Sequence, residues 1–327
     1  MLENIVFSAT AVLPLIILIF FGTFLKSQKK LFTNPEDFFN QLEKFVFNIA
    51  LPVYIFSQIA QAEIDKDFDA GLVLYCVCAI ILSCAAMIII TPFFIKSKKV
   101  RGAYIHGICR PNFVLLGVPL ISNLTDEAGA AAAVLVLPFM VPLFNILGTV
   151  ILASHADKDA GDGAGGAAIL NSTKKILTEI VKNPLIRAII IGLPFMLFGI
   201  EIPDVIQRSI NHIRNTSTPL ALISLGAGVY LQAFKSKITL PLTASIIKML
   251  VCPVIFVAAA VLIGFRGETL AVIYVLGAAP TAVVSYIMAK NMHSDAELAR
   301  QIVTFTTLMC PVTIFLGSLI LKSTGLI

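Results

Sequence analysis

Arg110 and Asn112 lie in the stretch HGICRPNFVLLGVPLISN, residues 106–123, beside two prolines, Pro111 and Pro119. The chemistry open to this set is anion capture. A guanidinium holds a carboxylate through two parallel N–H donors. A neighbouring amide both donates and accepts. A proline that interrupts a helix frees backbone groups, and the N–H groups at a new helix start carry partial positive charge. A second stretch, LGAAPT, repeats the pattern with Gly277, Pro280 and Thr281. Unwinding at Gly117–Pro119 and at Gly277–Pro280 is therefore expected to start two half-helices whose free amides face an anion. Asn48 and Asn215 each stand one turn before a proline, Pro52 and Pro219. Each is expected either to bond a carbonyl freed by its proline or to touch the ligand.

These residues sit in a chain built for lipid. Of its 327 residues, 58% are hydrophobic and 13% charged, with a mean hydropathy of +0.94. Soluble domains run at about 45–50% apolar and about 25% charged. The chain therefore reads as an all-α polytopic membrane protein with the bilayer as its solvent. The net charge of +5 is not a nucleic-acid footprint, because most lysines and arginines fall in short connections between apolar runs. The first apolar run lacks a basic segment before it, so it is expected to be a retained span and not a cleaved signal. All six cysteines lie in apolar runs without metal-ligand spacing, so they read as small buried hydrophobes.

A helix needs about 20 apolar residues to cross the hydrocarbon core. Ten spans are expected, at 5–25, 40–60, 70–95, 103–124, 130–153, 184–200, 216–233, 240–264, 270–290 and 300–321. Fifteen of the 24 lysines and arginines then fall in connections on one side, and five (Lys66, Arg208, Arg214, Arg266 and Lys322) on the other. The richer side is cytoplasmic by the positive-inside rule, which puts both termini outside a cytoplasmic membrane. In that frame His106 is expected near the cytoplasmic interface, not in a proton relay. Lys248, in SIIKMLVCP, is expected to snorkel to the same interface or to reach the site. Arg110 has the same two options.

The polar segment 156–182 divides the chain into 1–155 and 183–327, with five spans each. It reads as a flexible linker. Its DKDAGDG resembles a calcium loop only faintly, since Ala168 stands where the twelfth-position glutamate belongs. The two sets share landmarks in order: Pro14 and Pro194, Asn48…Pro52 and Asn215…Pro219, Pro119 and Pro280. An odd number of spans per set inverts the second, the arrangement found in secondary transporters.

Other chemistries find no motif. No Asp or Glu falls in the middle of a span so drawn, which disfavours cation exchange through buried carboxylates. Paired intramembrane aspartates, H-E-x-x-H and the nucleotide loop G-x-x-x-x-G-K-[ST] do not occur. Neither a cofactor nor an enzymatic activity is expected.

NFVLLGVPL, KNPLIRAIIIGLPFMLFGIEIP, TPLALISLGAGVYL and GAAPTAVVSYIMAK together resemble the auxin efflux carrier family, which includes plant PIN-type carriers and bacterial malonate or malate permeases. The likeness covers essentially the whole chain. It implies ten spans in two inverted repeats, with a scaffold (spans 1, 2, 6 and 7) and a transport domain (spans 3–5 and 8–10). Spans 4 and 9 would be broken and crossed, with the family's asparagine at Asn112 and its crossover prolines at Pro119 and Pro280. It also implies an organic-anion substrate and a homodimer. The short linker and Arg110 depart from the plant pattern, so auxin itself is poorly supported. The reading is thus a secondary carrier of a small organic anion working by alternating access. Two readings stand beside it: a sodium- or proton-coupled carrier of the bile-acid symporter type, and a transporter-like membrane receptor.

Overall fold

A computed structural model describes residues 2–28, 30–62, 68–125, 127–155, 183–230 and 238–327. Among these the chain is nearly all helical, and its one β-type contact is an isolated antiparallel bridge between Pro111 and Thr281. The helices are α1 (Leu2–Ser27), α2 (Pro35–Phe45), α3 (Leu51–Gln61), α4 (Ala70–Ile90), α5 (Lys98–Cys109), α6 (Val118–Leu124), α7 (Glu127–Ser154), α8 (Pro184–Phe198), α9 (Asp204–Ala227), α10 (Thr239–Ile246), α11 (Cys252–Ile263), α12 (Gly267–Ala278), α13 (Val284–Asn291) and α14 (Ala296–Ser323). The linker 156–182, with its calcium-like run, lies outside the described residues.

Among the described residues, six helical rods are long and apolar enough to cross a membrane: Leu2–Ser27, Pro35–Gln61, Ala70–Phe93, Gly129–Ser154, Thr239–Ile263 and Ala296–Ser323. Phe113–Leu124, Pro184–Phe198 and Gly267–Ala278 are shorter apolar helices. Isoleucine, leucine and phenylalanine are widely exposed on the outer faces, as at Ile17, Phe20, Leu82, Ile191 and Leu262. This is an integral membrane protein, and those faces meet lipid in place of water.

Local chemistry sets the helix starts. Asn34 Oδ1 accepts from the Asp37 amide ahead of Pro35, and Asn183 Oδ1 accepts from the Leu185 amide ahead of Pro184. Asp69 and Asp295 cap α4 and α14 in the same way. Two expected boundaries move. The amphipathic run before Pro219 is helical from Asp204, and Pro219 lies inside α9. Span 2 begins at Pro35, not at 40, which places Glu43 and Lys44 inside the rod.

Prolines act here in two ways. Pro52, Pro119 and Pro253 each follow a π-helical turn, at Val46–Ala50, Phe113–Gly117 and Ile247–Val251. The wider turn takes up the clash between the ring and the carbonyl four residues back, and the helix continues. Pro111 and Pro280 stop their helices outright. Packing also depends on two glycines. α1 crosses α9 with backbones in contact at Gly22 and Gly226, and α3 packs on α8. Small residues permit such close crossings in membranes.

Candidate functional site

The break between α5 and the Phe113–Leu124 helix falls at Arg110–Asn112. Proline disfavours helical geometry in the residue before it, and Arg110 is accordingly extended at φ −111°, ψ 89°. Ala279 before Pro280 does the same at φ −61°, ψ 135°. The two broken segments meet at these points. The Asn112 amide donates to Pro280 O at 2.6 Å and the Ala282 amide to Arg110 O at 3.0 Å. The crossing proline of the first segment is therefore Pro111, and the expectation at Pro119 is corrected. Gly117 is helical at φ −62°, ψ −52°, and Pro119 is buried in an unbroken helix. The break expected at Gly277–Pro280 falls at Ala279–Pro280, and Gly277 is still part of α12.

Each break leaves carbonyls without helical partners. Thr281 Oγ1 donates to Gly107 O at 2.6 Å, and the Thr281 amide donates to Thr306 Oγ1 at 3.1 Å. Lys248 Nζ donates to Gly277 O at 3.0 Å and is only 1% exposed. Lys248 thus neither snorkels nor lines the cavity. It closes the end of α12 from a neighbouring helix.

Arg110 does not snorkel either. Its guanidinium donates to Phe144 O at 3.0 Å and to Asn145 Oδ1 at 2.8 Å, both on α7. These acceptors are neutral. His106, one turn earlier, is 1% exposed with no partner at either ring nitrogen. Asn112 is 4% exposed, and its Nδ2 has no partner.

Arg110, Asn112 and Asn48 line one cavity of about 590 Å³. Its wall includes both half-helix starts, Phe113–Leu115 and Ala282–Val284, whose first amides have no helical carbonyl ahead of them. Asn145, Asn183, Asn40, Glu43 and Lys44 complete its polar lining. Gly117, Pro119, Pro280, Thr281, Pro52, Pro219, Lys248 and His106 do not line it. Asn215 is exposed and is not among its residues, while Asn48 bonds Lys44 O at 2.7 Å. In place of Asn215, Ser217 is the α9 residue that reaches across, donating to Ala50 O at 2.6 Å. Sequence reasoning does not single out Asn145 or Glu43. Asn145 is legible as a polar residue between Pro142 and Gly148 in an apolar run, whereas Glu43 falls at the edge of a span drawn too late.

This geometry separates the two prolines of the first segment. On the carrier reading that the resemblance implies, Pro119→Ala keeps near-wild-type transport, because the helix is already continuous there. Pro111→Ala lets α5 extend and abolishes most transport at equal expression. Substrate uptake by vesicles carrying matched amounts of each variant checks the contrast. Gly148 packs against the site from α7. A Cβ there would lie 2.7 Å from His106 Nε2 and 3.0 Å from Arg110 Nη1. Gly148→Ala therefore displaces the guanidinium from Phe144 and Asn145 and lowers transport about tenfold, by the loss of roughly one charge-assisted hydrogen bond. A rate equal to wild type would show that Arg110 holds its place without this space.

A sequence model of the membrane transport protein family matches residues 7–316. An uncharacterized transporter of Methanocaldococcus jannaschii is 24% identical over 303 residues, 90% of this chain and 93% of that protein. A second, from Methanothermobacter thermautotrophicus, is 23% identical over 96% of this chain and 98% of its own length. A probable auxin efflux carrier component of Oryza sativa is 28% identical over 186 residues, 53% of this chain and 34% of that protein. With the match spanning nearly the whole chain, this protein belongs to the membrane transport protein family that contains the auxin efflux carriers, and it is a membrane transporter.

Proposed function

We propose that this transporter moves a small organic anion, a carboxylate, by alternating access through the crossing of the two broken helices. The observation that carries the reading is the unpartnered Asn112 side-chain nitrogen, Nδ2, buried in the same cavity as an arginine bonded only to neutral acceptors. Buried donors without partners and uncompensated charges are costly, and functional sites are where they persist. A carboxylate offers Arg110 its counter-charge and Asn112 an acceptor. The start amides of both half-helices that are not bonded across the crossing add partial positive charge. The cavity is of ligand size, since small-molecule sites run at about 300–1,000 Å³.

The architecture that goes with this function is ten spans in two inverted repeats. Spans 4 and 9 are the broken pair. The scaffold is α1, α2–α3, α8 and α9, and the remaining helices form the moving domain. The pairing of α1 with α9 and of α3 with α8 supports it, because an inverted repeat relates these two contacts. The protein is proposed to sit in the cytoplasmic membrane as a homodimer with both termini outside. A cysteine placed at Glu201 or Arg266 then reacts with impermeant thiol reagents added outside, and one at Lys98 does not. The opposite labelling pattern would reverse the orientation.

Counterflow in proteoliposomes tests the substrate class, using radiolabelled acetate, malonate, malate and benzoate. At least one carboxylate is expected to exchange, and Asn112→Ala to slow that exchange. Exchange of a cation or a neutral solute, with every carboxylate silent, would overturn the reading.

A further inference from the structure

A second cavity of about 350 Å³ adjoins the first. The two share Asn40 and Glu43 from α2 with Val283 and Ile287 from the second broken segment. Glu43 is the one acidic side chain common to both walls. It is half-buried, and its carboxylate has neither an ion-pair nor a hydrogen-bond partner among the described residues. The other charged groups lining these cavities are few. Lys44 and Glu36 come from the same helix, Lys26 from α1, Arg110 from the end of α5 and Arg300 from α14. Tyr286 of α13 is the remaining titratable group. Two of the cations are engaged elsewhere: Arg110 by Phe144 and Asn145, and Arg300 by the rings of Tyr230 and Tyr286, at 3.6 and 5.5 Å from their centroids.

An ionised carboxylate on the wall between two cavities opposes any anion that passes from one to the other. The opposition is strongest where water is scarce. Protonation removes it. We propose that Glu43 is the coupling carboxylate of this transporter, so that each anion moves together with one proton. This inference rests on the anion-carrier reading above. Glu43 takes up a proton from the side on which the anion enters. The anion then binds without the opposing charge, and the loaded transporter reorients. On the far side the anion leaves, Glu43 ionises and the proton follows into that solution. The empty transporter returns with Glu43 ionised. One proton and one anion thus cross in the same direction, and acid on one side drives uptake from that side.

The test uses the full-length protein in proteoliposomes, with the same four radiolabelled carboxylates as probes. Counterflow at equal pH reads anion exchange alone. Accumulation under an acid-outside gradient, set against the same vesicles with the gradient collapsed by an ionophore, reads coupling. The quantity compared is the ratio of gradient-driven uptake to counterflow within each variant, whatever its absolute rate. Wild type is expected to accumulate probe several-fold and to acidify a trapped pH dye only when probe is present. Glu43→Gln is expected to lose both effects, and Glu43→Asp, which still titrates, to keep them. Should Glu43→Gln not fold, Glu43→Ala against Glu43→Asp supplies the same contrast. Counterflow without gradient-driven uptake in wild type, uptake driven by sodium instead, or coupling that survives in Glu43→Gln would each overturn the proposal and leave the anion reading intact. Absence of counterflow for every carboxylate would remove the anion reading, and this inference with it.

Discussion

Purified, folded Arg110→Gln binds the transported carboxylate more than tenfold more weakly than wild type, and Arg110→Lys falls between the two. Arg110 is held by Phe144 O and Asn145 Oδ1, and neither neutralises it. A charge at the centre of a membrane span costs at least about 2.5 kcal/mol on insertion scales. A bound carboxylate recovers part of that cost and adds charge-assisted hydrogen bonds. Removing one partner of a buried, bonded charge pair typically costs about 2–5 kcal/mol, and tenfold in affinity is about 1.4 kcal/mol. Lysine keeps the charge but not the planar fork, so it cannot bond Phe144, Asn145 and a carboxylate with the same geometry. Titration calorimetry with the carboxylate found by counterflow measures the difference. Equal affinity in Arg110→Gln would make this arginine a tie between the end of α5 and the middle of α7, and would leave binding to Asn112 and the half-helix amides.

The largest loss of stability is expected at the α1–α9 crossing. A Cβ on Gly226 would lie 1.8 Å from Ile19 O, and one on Gly22 would lie 2.0 Å from Ile223 O. Neither neighbour can rotate away, because both are backbone. The helices must separate, which also breaks the 2.8 Å bond from Thr23 Oγ1 to Gly226 O. Overpacking typically costs about 1–3 kcal/mol, and a clash between two backbones belongs at the upper end or beyond. Gly226→Ala should therefore melt well below wild type and express poorly. The double variant Gly22→Ala/Gly226→Ala should lose less than the sum of the two, since separation forced by one methyl makes room for the other. Cys76, Cys84, Cys109, Cys252 and Cys310 are buried and free, while Cys78, expected to be buried, is exposed, so in a Cys78→Ala background a thiol-reactive dye reports the melt. Unchanged melting in Gly226→Ala would mean that the two helices do not touch in the membrane.

Much of this molecule is legible in its amino-acid sequence. In lipid a backbone has to satisfy its hydrogen bonds inside a helix or a closed barrel, and apolar runs of about 20 residues have the length of a helix, not of a strand. Capping residues before proline, as at Asn34–Pro35 and Asn183–Pro184, mark two helix starts by local chemistry. Arg110 and Asn112 stand out because charge and amide groups are expensive in that setting. Distant partners decide the rest. Pro111 and Pro119 carry the same local instruction. One breaks its helix because Pro280 and Ala282 supply partners for the freed groups at Asn112 and Arg110, and the other is absorbed by a π turn. Lys248 has a free choice between the interface and the interior until Gly277 offers a bare carbonyl. Asn48 and Asn215 share the spacing Asn-x-x-x-Pro, yet only Asn48 faces the cavity. Periodicity tells which residues share a face of a helix. What that face meets depends on contacts between residues far apart in the chain, such as Arg110 with Phe144 and Thr281 with Gly107, and those form only when the helices pack.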